Sequence, residues 1–263
     1  MSPSDEVERF ITTGEHDPRF SAWEGSVVER RKVGAATLRD VLRRIVGYRA
    51  AHGPGRRVPV DVPAQVAARV APMVRGLVPT HADALLALLP TRVHVVTPTT
   101  FGALIEGVPP RTAWDLANLV LDDIGAPPLA DDTPELDGLS HAGHAWLLPR
   151  AFTEARPFSD VVVHEVAHLL HGIARREIAW EPAGALILAV PPRRRETFAY
   201  ACEVWSCVTR DASSPTQRRA QLLAFRATST PADARVDRRR LDALLDAADG
   251  PGAWGAIAGW ATG

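Results

Sequence analysis

Lysine is almost missing from this chain: of its 30 basic residues, only Lys32 is not arginine. With abundant alanine and proline, that skew points to a GC-rich bacterial genome more than to arginine chemistry. Cysteine is scarce too. Cys202 and Cys207 are the whole complement, and they lie five apart in a stretch that reads as one helix. Side chains at that spacing leave different faces, a poor geometry for a mutual disulfide, and a reducing compartment is expected. No apolar run approaches the ~20 residues needed to cross a bilayer, and MSPSDEVERF lacks a basic start followed by an apolar stretch. The expectation is a cytoplasmic protein with no membrane partner. Charge of one sign is also lacking: the formal net charge of −1 supplies no field to gather nucleic acid, and no nucleic-acid partner is expected.

What is present is an ordinary globular composition. Hydrophobic residues make up 46% and charged residues 23%, far from the apolar-poor signature of disorder. VVERRKVGAATLRDVLRRIVGYRA reads as an amphipathic helix carrying Val33, Leu38, Val41, Leu42 and Ile45. AHGPGRRVPVDVP (51–63) breaks it with Gly and Pro. The break suggests a helical N-terminal extension, 1–60, and a main domain, 61–263. Helices are expected at about 64–77 and 80–89, a strand at RVHVVTP (92–98), and a helix over 112–124 capped by Thr112. HAGHAWLLP (141–149) reads as a short strand, RRRETFAYACEVWSCVTRD as a helix, and LDALLDAAD as the last helix. The mixture predicts an α+β fold.

Chemistry concentrates in VVVHEVAHLLHG (161–172). Imidazoles and a carboxylate are costly inside an apolar run unless something pairs with them. His164 and His168 are four apart, so on a helix both rings can reach one metal ion, the mechanical content of HExxH. Glu165 sits about 100° round the helix, where its carboxylate can reach a water and act as general base rather than ligand. Ser159 and Asp160 supply a cap and a first-turn acid, and Gly172 is placed to end the helix.

A catalytic zinc takes three protein ligands and keeps a fourth position open. Candidates for the third are His171, Glu177, Glu181, Glu196 and Glu203. His164, His168 and His171 make a row about 10 Å long, too extended for one ion, which leaves His171 a place at the rim. In ETFAYACEVW, Glu196, Tyr200 and Glu203 share a face beside an apolar stripe of Phe198, Ala201, Cys202 and Trp205. Glu196 is the favoured ligand; Glu203 is the alternative, or an acceptor that orients a histidine ring. The cysteines read as buried small hydrophobes.

HEVAH followed by a glutamate helix resembles the gluzincin metallopeptidases, and ETFAYACEVW is similar to the E-x-F-A-x-A segment of their anthrax-lethal-factor-like branch. The likeness covers about residues 90–210. It implies a zincin-like domain: a small twisted sheet above an active-site helix, zinc on His164, His168 and Glu196, Glu165 as base, and HAGHAWLLP as an edge strand that binds extended peptide by β-augmentation. That branch has a tyrosine seven residues before its glutamate, where this chain has Ala189. Tyr200 is the first substitute as oxyanion stabiliser, with His141, His144 and His171 as further substrate-side candidates.

The expected function is zinc-dependent hydrolysis of peptide or protein substrates. Two other classes stay open: a non-haem Fe(II) oxygenase built on the same His/His/Glu triad, and a non-catalytic binding module with a structural metal. The cleavage preference and the oligomeric state are not set by any of these residues. GALILAVPP (184–192) could line a cleft or cap the core.

Overall fold

A computed structural model of the chain describes residues 9, 25–51, 61–74, 79–130, 138–141, 143–154, 156–176, 191–229, 231 and 233–249. The fold is α+β, mostly helical, with one small sheet. In chain order the described α-helices and strands are α1 (Val27–Ala50), α2 (Val62–Val74), α3 (Pro79–Leu88), β1 (Val93–Val95), α4 (Pro98–Leu104), α5 (Pro110–Asp123), β2 (Gly138–His141), β3 (His144–Leu147), α6 (Val161–Arg176), α7 (Pro192–Asp211), α8 (Pro215–Thr228) and α9 (Arg238–Ala248). No helix among the described residues is long and apolar enough to cross a membrane.

The chain divides into two compact units that interleave along the sequence: 1–59, 95–139 and 146–150 form one, and 60–94, 140–145 and 151–263 the other. In the first, α1 packs on α4 and α5. Leu38, Leu42 and Val46 of α1 share a buried cluster with Phe101, Trp114 and Leu116. Helix α1, placed by its sequence in an N-terminal extension, thus has a core in common with residues that follow 95. Arg39 fastens the packing by donating to the carbonyl of Ile105, the C-cap of α4, and to that of Val108 in the loop that follows, both at 2.8 Å. Ser26 and Glu29 form a capping box that starts α1. Val33, expected in the core, is 53% exposed, because the buried stripe runs only through Leu38, Leu42 and Val46.

In the second unit α7 is the hub, with α2, α6, α8 and α9 all packed against it. Its expected apolar stripe, Phe198, Ala201, Cys202 and Trp205, is buried. Both cysteines are free thiols. Burial, aided by the charge of Glu203, pushes the Cys202 thiol far up, and burial pushes Cys207 up to about 12, so neither is a nucleophile at neutral pH.

Several local expectations are corrected. Helix α5 begins at Pro110, after Pro109, and Thr112 is a buried residue of its first turn rather than the cap; proline's fixed φ suits the first helical position. Helix α6 runs through Gly172 to Arg176. The segment 141–149 is not one strand. Gly143, at φ +81, lies in the link between β2 and β3, a conformation glycine adopts without steric cost. The sheet order is β1-β3-β2, so the strand expected at an edge is the central one. Its backbone is paired on both sides, and β-augmentation by a substrate along it is excluded.

Candidate metal centre

The centre lies within the second unit and begins where α6 begins. Phe158 has φ +58, a left-handed turn uncommon for a bulky residue, and its ring meets Phe225 edge-on at 5.7 Å. Two residues later Asp160 caps α6: its carboxylate accepts from Val163 N–H at 3.4 Å and its carbonyl from His164 N–H at 3.0 Å. The cap is Asp160 and not Ser159, whose hydroxyl is turned to Glu203. The Asp160 carboxylate is 2% exposed and pairs with Arg69 of α2 at 3.2 Å and Arg210 of α7 at 3.0 Å. Three helices are therefore tied at the point from which the HExxH turn is launched.

One turn on, His164 and His168 project together, their rings edge to face at 4.9 Å. Glu196, from the first turns of α7, is 4% exposed. Its Oε2 lies 3.6 Å from His164 Nε2 and 3.3 Å from His168 Nε2. These three residues offer ligand atoms that all lie within 4.8 Å of one another, a group that could hold a metal ion.

Glu203, the alternative ligand, faces the other side of His164. Its Oε1 accepts from the Ser159 hydroxyl and the Asp160 N–H, both at 2.7 Å, and its Oε2 stands 3.1 Å from His164 Nδ1. With Nε2 turned to Glu196, Nδ1 carries the hydrogen and donates it to Glu203. An acceptor on the far nitrogen fixes a ligand histidine's tautomer and orientation.

Glu165 is buried, and its Oε2 has no hydrogen-bond partner among the described residues; the same holds for Nδ1 of His168. Buried polar atoms normally find partners, and this carboxylate is near enough for its charge to raise the pKa of His164. Tyr200 packs its ring edge-on against His164 at 4.9 Å. Burial and the charges of Glu203, Asp233 and Glu196 raise its phenol to about 12, so it stays protonated at neutral pH.

Electrostatically the cluster favours positive charge. Burial alone would lower His164, but hydrogen bonds to Glu196 and Glu203 and the charges of Glu203 and Glu165 raise its pKa to about 10 in the metal-free protein. Glu196, which burial would raise, is held well below the ordinary carboxylate range by the two histidines.

No protein-family model, curated protein or solved structure matches this chain.

The remaining candidates fall elsewhere or outside the description. His144 opens β3 and pairs with His94 of β1, Nδ1 to Nε2 at 2.8 Å; His141 ends β2, half-buried. The His171 backbone continues α6, but its side chain, like Glu177, Glu181, Ala189 and most of 184–192, is outside the described residues. Sequence reasoning missed His94 and the ion pairs of Asp160. It also missed Arg195 and Arg235, which approach the second oxygen of Glu196 at 3.4 and 3.5 Å. No spacing rule links Arg235 to a helix that begins at Pro192.

Proposed function

We propose that the chain is a zinc-dependent peptide hydrolase, with His164, His168 and Glu196 as ligands and Glu165 as general base. The observation that carries this reading is the pairing of a converged His/His/Glu set with a neighbouring buried carboxylate oxygen that has no described partner. The two histidine–glutamate spacings support the reading: tetrahedral bonds of ~2.0–2.1 Å put adjacent ligand atoms about 3.3–3.4 Å apart, against 3.3 and 3.6 Å here, and all three ligand atoms lie within 4.8 Å of one another. The chain order of small sheet, histidine helix and glutamate helix supports the zincin-like resemblance.

A zinc ion held there would supply Lewis acidity, making a water acidic near neutral pH and polarising a carbonyl. Glu165 takes the proton of the attacking water through its open oxygen and passes it to the leaving amine. Glu203 holds His164 in the tautomer that presents Nε2. Tyr200, a neutral phenol, donates a hydrogen bond to the oxygen on which negative charge develops. The same triad suits Fe(II), but an iron facial triad has no use for Glu165.

Two measurements test this. Elemental analysis of the purified chain should find one zinc per molecule, lost in His164→Ala and His168→Ala. Glu165→Gln should keep the zinc and lose at least about 100-fold in cleavage of a peptide library read by mass spectrometry. Iron with oxygen uptake, or full turnover by Glu165→Gln, overturns the assignment.

A further inference from the structure

Glu196 faces two ways. One oxygen meets the histidines; the other meets Nη2 of Arg195 at 3.4 Å and Nη2 of Arg235 at 3.5 Å. Two guanidinium groups that converge on one carboxylate oxygen repel each other, and of the two only Arg235 has a second acidic partner, Asp233. Arg195 lies in the first turn of α7, where the helix dipole opposes a cation, and Glu196 is its one acidic partner among the described residues.

Arg235 is set in place from outside the helix. Asp237 N–H donates to the Thr197 hydroxyl at 2.9 Å, Arg193 pairs with Asp237 at 3.4 Å, and Asp233 receives the Arg235 guanidinium at 2.5–3.0 Å. The segment 233–237 is thus tethered along α7 with its arginine aimed at the centre. Both arginine side chains remain about half exposed, 45% and 54%, open to a ligand that arrives from solvent.

Charge decides what that ligand is. With a dication bound and both imidazoles neutral, the ion, Arg69, Arg195, Arg210 and Arg235 carry six positive charges. They face six carboxylates, those of Asp160, Glu165, Glu196, Glu203, Asp211 and Asp233, so the charges balance over the whole group. A metal ion would draw on the Glu196 charge that holds the two guanidiniums, and Arg195, with no other acidic partner among the described residues, would be the less compensated of the two at the exposed rim. The guanidinium nitrogens meet the oxygen of Glu196 that the histidines do not.

We infer that Arg195 and Arg235 bind a carboxylate of the substrate next to the scissile bond. This makes the substrates peptides with either a free C-terminal carboxylate or an acidic side chain at that position. The inference rests on the proposed metallohydrolase reading, and its test is a binding measurement.

Three succinyl hydroxamates, ending in alanine amide, alanine with a free carboxylate, or aspartate amide, are titrated by calorimetry into the zinc-loaded chain at low salt. One or both charged probes should bind about tenfold more tightly than alanine amide, a modest figure because the pair is half exposed; the tighter of the two identifies the carboxylate's source. In Arg195→Ala and Arg235→Ala the ratio should fall to within about threefold of unity, with zinc content unchanged. Should Arg235→Ala fail to fold, Arg195→Ala carries the test. A chain that takes up zinc and binds all three probes alike, or variants that keep the preference, overturn this inference alone. A chain that takes up no zinc overturns it together with the reading beneath it.

Discussion

Replacing Glu203 with glutamine removes one charge, keeps the side-chain shape, and isolates what that residue does for His164. In the native arrangement one oxygen of Glu203 receives the Ser159 hydroxyl and the Asp160 N–H at 2.7 Å each. A glutamine must keep its own oxygen there, because its NH₂ cannot face a backbone N–H. The NH₂ then points at His164 Nδ1, 3.1 Å away, and donates to it. Nδ1 becomes the acceptor and the hydrogen moves to Nε2, the atom that faces Glu196. An Nε2–H imidazole cannot ligate a metal; to bind, the ring must restore Nδ1–H against the amide hydrogens. Removing such a partner costs about 10- to 100-fold in metal affinity, or about 1.4–2.8 kcal/mol. The fold is little disturbed, since the bonds to Ser159 and Asp160 survive. Glu203→Ala differs: it strands the buried Asp160 N–H and costs a further ~1–3 kcal/mol of stability. A competition titration with a chromogenic zinc chelator, run beside urea unfolding, separates the two effects. Native zinc affinity in a folded Glu203→Gln protein would refute the tautomer argument, as would a loss that merely tracks unfolding.

Zinc uptake should depend on pH with a definite sign: metal-free His164 holds its proton up to about pH 10, so between pH 6 and 8 binding must displace it. Apparent affinity should rise about tenfold per pH unit, with one proton released per zinc in calorimetry across buffers of different ionisation heat; a flat profile would contradict it. In the metal-free chain the raised His164 stabilises fully below its ordinary value of 6.5 and loses that contribution on the way to about 10, whereas the lowered Glu196 stabilises above its ordinary 4.5 and loses it in acid. Thermal melts should therefore peak between about pH 4.5 and 6.5. Asp160→Asn breaks the pairs with Arg69 and Arg210; because those arginines are partly exposed, 23% and 44%, about 2–3 kcal/mol is expected rather than the full cost of a buried pair. Urea midpoints check it, and a change under 0.5 kcal/mol would show the clamp to be ornamental.

Signals local to one helix carried most of what could be read in advance. Four-residue spacing brings His164 and His168 together, and the face shared by Glu196, Tyr200 and Glu203 follows from α7 being a helix. Helix α1 was legible from its periodicity. Helix α8 is equally legible: Ser214 and Gln217 form a capping box around Pro215, a local start signal. The same holds for Thr97 and Thr100 at α4. Strand β2 is different, since four residues, GLSH, hold too little alternation to stand out, and without it β3 reads as an edge. Which neighbour pairs with a strand is a tertiary fact. So is the approach of Arg235 to Glu196, which depends on Asp237 finding Thr197 across a turn.

Why three carboxylates should be buried around two imidazoles is a question of charge before it is one of catalysis. Glu165, Glu196 and Glu203 are each under 10% exposed, and unpaired ionised groups in such a setting cost several kcal/mol apiece. Glu203 is balanced by three donors, and Glu196 leans on Arg195 and Arg235. Glu165 keeps an oxygen with no described partner. The metal-free protein meets part of this deficit with a proton on His164. A dication would meet it more fully, by replacing that proton and engaging Glu196. Because a proton can hold the place, the helices should assemble before the metal arrives, unlike small zinc domains that are unfolded without their ion. Metal binding then becomes an exchange of one cation for another in a site already shaped by α6 and α7, and the energy of binding goes to ligand selection rather than to folding.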